Sequence, residues 1–169
     1  MAAKRSNGKN RGNKVSCCGS CKSGSSGFVG NILGLGIVFA VISQVVHGIG
    51  GWLGYSYYAD SQYSAIWSRL FMPTSGAPSS EFFIYSILLS FIAGIIYALV
   101  YWVIKDGIKN IAGGNEGIIY GILLFVVTVP GLLSTILLLN ISTMVVLLWA
   151  VEDLIIKLLG ASIITRWIN

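Results

Sequence analysis

Charge is what this sequence lacks most. Only 10% of its 169 residues are Asp, Glu, Lys or Arg, against about 25% in a typical soluble domain. Those few are bunched: none falls between Lys22 and Asp60, between Glu81 and Lys105, or between Glu116 and Glu152, leaving uncharged stretches of 37, 23 and 35 residues. A membrane helix needs only about 20 apolar residues. With 55% hydrophobic residues and a mean hydropathy of +0.80, the chain reads as an integral membrane protein. A soluble enzyme, a secreted disulfide scaffold and a disordered chain are excluded together. Histidine is almost missing too, His47 being the only one beside six acids. There is no zincin spacing, Walker loop, nucleophile elbow or haem-type His pair, so the expectation is a protein that is not an enzyme.

The first two uncharged stretches give spans at residues 28–53 and 82–104. The third, at 35 residues, would reach about 52 Å as one helix, against a hydrocarbon core of about 30 Å. Asn140, Ile141, Ser142 and Thr143 supply its polar break. The reading is therefore two helices, residues 118–139 and 144–164, joined by a tight turn, which keeps backbone groups paired where no water can reach them. The expected fold is all-α: a four-helix integral membrane bundle over residues 28–169, behind a basic tail of residues 1–27. The long apolar stretch of the first span favours an uncleaved anchor over a signal peptide.

The basic residues orient the bundle. Lys4, Arg5, Lys9, Arg11, Lys14, Lys22, Lys105, Lys109 and Arg166 fall on one side, and Arg69 alone on the other. The positive-inside rule puts both termini in the cytoplasm of a cell-membrane protein. The tail accounts for the net charge of +5 through attraction to anionic lipid. It has no aromatic residue to stack on a base, so no nucleic-acid partner is implied. Rich in Gly, Ser, Asn and Lys, it is expected to be disordered in isolation.

Cys17, Cys18 and Cys21 are the whole cysteine complement. Structural disulfides are not expected in a cytoplasmic tail. Unremarkable thiols are the plain reading. The two-residue spacing of Cys18 and Cys21 also suits zinc or copper, with ligands shared between chains, and a juxtamembrane pair suits lipidation. No other cofactor is implied.

Between the first two spans, Tyr63, Ile66, Trp67, Leu70 and Phe71 recur at helical spacing. The pattern predicts a short amphipathic helix lying in the outer interface, with Tyr63, Trp67 and Phe71 as anchors. Small residues repeat every four positions at Gly30 and Gly34, Gly50 and Gly54, Ser86 to Ala98, and Gly117 and Gly121, marking close helix contacts. Pro130 predicts a kink in the third span, with Thr128, Ser134 and Thr135 placed to repair its hydrogen bonding.

The fourth span carries Glu152, Asp153 and Lys157 on one face and leucines on the other. Each central charge costs about 2.5–3.5 kcal/mol to insert, while the twelve Leu, Ile and Val residues of this span return about 4–7 kcal/mol. Alone, such a helix is indifferent to lipid. Its charges need a polar interior, either as an Asp153–Lys157 ion pair or as a protonatable site. At about 1.5 Å per residue, His47 and Glu152 lie at similar depths below the outer surface. His47, Gln44, Glu152 and Asp153 are therefore expected to meet, with His47 in reach of Glu152 or Asp153.

The run Pro130-Gly131-Leu132-Leu133-Ser134-Thr135, with Asn140-Ile141-Ser142, Trp149 and Glu152, resembles the second half of small four-helix multi-pass membrane proteins of bacteria and archaea. The resemblance covers about 140 residues. That group has no assigned function, so the likeness implies the architecture alone, and the Cys-bearing tail is not part of it. Three functions suit the residues: a non-enzymatic accessory or assembly subunit, a proton- or cation-coupled transporter or channel using the fourth-span charges, and a metal-handling protein. The implied partners are the lipid bilayer and either a second copy or another membrane protein.

Overall fold

The computed structural model describes residues 25–60, 66, 67, 71 and 78–169, with side chains from residue 28 onward. The three cysteines, the basic tail before residue 25, and Tyr63 lie outside the described residues. The described chain is all-helical: α1 (Ser25–Leu53), α2 (Tyr55–Tyr58), α3 (Ser80–Ala112), α4 (Glu116–Leu138) and α5 (Thr143–Ile168). Three helices, Phe28–Leu53, Ser80–Ala112 and Glu116–Leu138, are long and apolar enough to cross a membrane. The chain is accordingly read as a membrane protein. α5 has 26 residues but carries Glu152, Asp153 and Lys157 at its middle.

Local chemistry fixes the ends. The Ser79 side chain caps α3 by accepting from the Phe82 amide, and Ser142 caps α5 by accepting from Met144. These hydroxyls satisfy amides that have no partner within the helix. α3 stops at Gly113, whose φ of 52° is left-handed, a conformation that favours glycine. It therefore runs eight residues beyond the expected boundary at Ile104. Ile108 and Ala112 are buried in the core there, so packing carries the helix on. Hydrophobicity marks where lipid ends, and the helix ends elsewhere.

The four long helices pack antiparallel to their neighbours. Gln44 and Ser43 of α1 meet Ser86 and Ser90 of α3, while Gly36 lies against Phe91 and Gly94 against Phe39. α4 meets α5 through glycine: a Cβ at Gly117 would lie 2.7 Å from the Ser162 Cα, and one at Gly121 2.9 Å from the Leu158 Cα. α5 reaches α1 where Gly160 receives the Phe39 ring. Contacts this tight supply the van der Waals energy that holds helices together without a hydrophobic driving force. The proximal end, where α1 begins, holds the core of Ile32, Leu35, Ala98, Tyr101, Tyr120 and Ile164. The distal end, where α1 finishes and α5 begins, holds the polar site.

α4 runs through Pro130. Proline has no amide to offer the carbonyl of Val126, one turn earlier. The hydroxyls expected to repair the ladder bond elsewhere: Thr128 donates to the Phe125 carbonyl, Ser134 to Pro130 and Thr135 to Gly131.

Candidate functional site

His47 from the last turns of α1 and Glu152 from the middle of α5 meet at 2.8 Å between Nδ1 and Oε2. The Glu152 side chain is 7% exposed and that of His47 49%. A buried carboxylate is thus joined to a ring whose other edge is open. Gly50 makes this possible. A methyl group there would overlap both the Cδ and Oε1 of Glu152, so the carboxylate rests on bare helix backbone. Oε1 is buried with no hydrogen-bond partner among the described residues.

The structure separates the charges that the sequence gathered. Asp153 and Lys157 turn from Glu152 toward α4, where Lys157 Nζ donates to Asp153 Oδ2 at 2.6 Å and to Thr128 Oγ1 at 2.7 Å. Thr128 Oγ1 lies 2.8 Å from Asp153 Oδ2, an alternative acceptor to the Phe125 carbonyl for its one proton. The Lys157 side chain is 2% exposed. Successive helical residues point about 100° apart, so Glu152 and Asp153 face different neighbours. Gln44 donates to Ser86 at 2.9 Å and touches the site from the α3 side. Of the three charges near the middle of α5, Asp153 and Lys157 cancel. Glu152 has, among the described residues, only an imidazole beside it.

Above this pair lies a cavity of about 560 Å³ whose lining includes Gln44, His47, Ser86 and Glu152, with Tyr58, Trp67, Phe71, Phe82 and Trp149 among its aromatic walls. Two of the three expected interfacial anchors belong to it. Trp67 and Phe71 stand 5.5 Å apart between ring centroids, pack on Tyr58 at 5.4 and 5.8 Å, and reach Trp149 and Phe82 at 6.3 and 4.9 Å. Ile66, Trp67 and Phe71 lie in turns or a bend, and the rest of the expected amphipathic helix falls outside the described residues. These aromatics turn inward because the helix ends offer them other rings. Trp149 Nε1 donates to the Tyr58 hydroxyl at 2.6 Å. Burial raises the Tyr58 pKa above its usual value, the Trp149 hydrogen bond pulls it back, and the Glu152 charge adds to the rise. Its hydroxyl is therefore neutral at physiological pH.

A second, smaller cavity of about 280 Å³ lies at the proximal end beside Glu116, Arg166 and Asn169. Its polar groups answer one another: the Tyr101 hydroxyl donates to Glu116 at 2.7 Å, and the Asn169 amide donates to the same oxygen. Among the described residues, no three of His, Cys, Asp and Glu converge to hold a metal ion.

Sequence reasoning passed over Gly50, Tyr58 and Trp149 as parts of this site. The Gly50–Gly54 repeat was a signal of close approach, but it names no partner. In the comparisons with protein-family models, curated proteins and solved structures, nothing matches this chain.

Proposed function

We propose that this protein is a proton- or cation-coupled transporter or channel of the cell membrane, not an enzyme, working through the distal cavity and the His47–Glu152 pair at its floor. In this reading α5 is a fourth span, the four long helices form an antiparallel membrane bundle, and both termini face the cytoplasm. The resemblance to small prokaryotic four-helix membrane proteins is of the same kind. The burial pattern of α5 supports a fourth span: Glu152 and Lys157 are buried, while Leu147, Val151, Ile155 and Leu159 face outward. That is the pattern of a helix with lipid on one side and protein on the other.

One observation carries the functional reading. Glu152 is a buried carboxylate whose only hydrogen-bonding partner among the described residues, His47, opens on a cavity. A carboxylate and an imidazole in contact can exchange a proton, and an uncompensated carboxylate attracts a cation. A static structural pair would need neither the cavity nor the open ring edge. The accessory-subunit role ranks second, because the outward faces of α4 are apolar, with Ile122, Leu123, Val126 and Val127 exposed, and lipid satisfies such a surface unaided.

The test is ion movement in reconstituted vesicles. With an inside-negative potential, an internal pH dye and radiolabelled Na⁺ and Rb⁺ should report uptake above protein-free vesicles. Glu152→Gln should abolish it and His47→Ala should slow it. Uptake no faster than in protein-free vesicles for every ion would reject coupled transport. A stoichiometric partner retained in mild detergent would then support the accessory role.

A further inference from the structure

We infer that the distal cavity binds a lipophilic organic cation, an ammonium or phosphonium with apolar substituents, with Glu152 as its counter-charge and the aromatic rings as its walls. This inference rests on the functional reading of the same cavity and names what enters it. A volume of about 560 Å³ lies within the range of about 300–1,000 Å³ usual for small-molecule sites. The size excludes a bare alkali ion as the species the walls are built for.

The chemistry of the lining points to the sign of charge. Tyr55, Tyr58, Trp67, Phe71, Phe82 and Trp149 line the space. Aromatic faces carry negative potential and hold cations, tetraalkylammonium ions above all. No Lys or Arg is among the described lining residues. The nearest lysine on α5, Lys157, is closed by Asp153 and Thr128 on the α4 side. Among the described lining residues, His47 is the only group that could offset a charge on Glu152. An anion or a carboxylic acid would meet that charge, and a neutral apolar molecule would leave it buried and unpaired.

An organic ammonium has two sources, a free molecule or the headgroup of a lipid at the distal surface. Both present the same group to Glu152. The Asp153–Lys157 pair faces away from either, toward α4.

Tetraphenylphosphonium and tetraphenylborate, nearly equal in size and opposite in charge, test the inference on the full chain in nonionic detergent by equilibrium dialysis. The expected result is saturable binding of one tetraphenylphosphonium per chain and no saturable binding of tetraphenylborate. Glu152→Gln should weaken the phosphonium about tenfold or more, the effect of one lost charged partner, while Asp153→Asn leaves it within about twofold. Equal binding of the two ions, or binding of neither, would overturn the inference. The comparison of the two ions uses wild-type protein, so it decides even where Glu152→Gln fails to fold. In phosphatidylglycerol nanodiscs, added phosphatidylcholine should compete if a headgroup is the natural occupant and should not if a free cation is. Both outcomes support a cation site and assign its source. Binding is read without a gradient. Lost ion flux with binding intact would therefore overturn coupled transport alone, and flux without phosphonium binding would overturn only the organic cation.

Discussion

The absence of one methyl group at position 50 decides where Glu152 sits. Gly50→Ala would drive a Cβ into the carboxylate and push it from His47. Overpacking of this kind costs about 1–3 kcal/mol, and thermal unfolding in detergent should show the loss. Gly30→Ala, on the same helix with nothing within 4 Å, should instead stabilise by about 0.5–1 kcal/mol. A similar contrast holds for the ion pair on α5. Lys157→Met alone strands Asp153, and Asp153→Asn alone strands a lysine that is 2% exposed. Each single change should cost about 3 kcal/mol, and the double variant should recover most of it. Additive losses would mean the pair is not coupled. Ionisable residues stand out in an apolar span, and the fixed rise per residue gives their depth, so His47, Glu152, Asp153 and Lys157 were legible as candidates. Their division into two clusters was not. It depends on how α5 is rotated about its own axis, which glycine contacts on two neighbouring helices set.

At the scale of helices, contact through glycine makes a prediction for the α4–α5 pair. Gly121→Ala brings a methyl group to 2.9 Å from the Leu158 Cα, and backbone cannot step aside as a side chain can. The variant should lose about 1–3 kcal/mol by the same unfolding assay. Gly131→Ala, in open space on the same helix, should lose nothing. The long helices were readable from the gaps between charges, and the break near Asn140 from three polar residues among four, Asn140, Ser142 and Thr143. The true length of α3 was not readable, because Lys105, Asp106 and Lys109 suggested a loop while Ile108 and Ala112 were packing beneath them. The inward turn of Trp67 and Phe71 was hidden for a related reason. Helical spacing shows that a stripe exists, and only the neighbouring rings of Tyr58, Phe82 and Trp149 show which way it faces.

For the whole molecule, the sharpest test is whether α5 changes the side of the membrane. A reporter active only outside the cytoplasm should work when fused after Asn140 and fail when fused after Asn169. Activity at both places would lay α5 on the surface and remove the fourth span. The position of α5 after the helices it packs against has a consequence for biogenesis. The chain leaves the ribosome from α1 onward, so His47 and Thr128 are both synthesised before the charges they receive. When Glu152, Asp153 and Lys157 emerge, a polar seam is waiting for them, and the Asn140–Ser142 turn delivers them to it. A rearranged gene that places α5 first would send those charges to the translocon with no host. Such a helix would slip back into the cytosol and be degraded, though every residue of the finished protein were present.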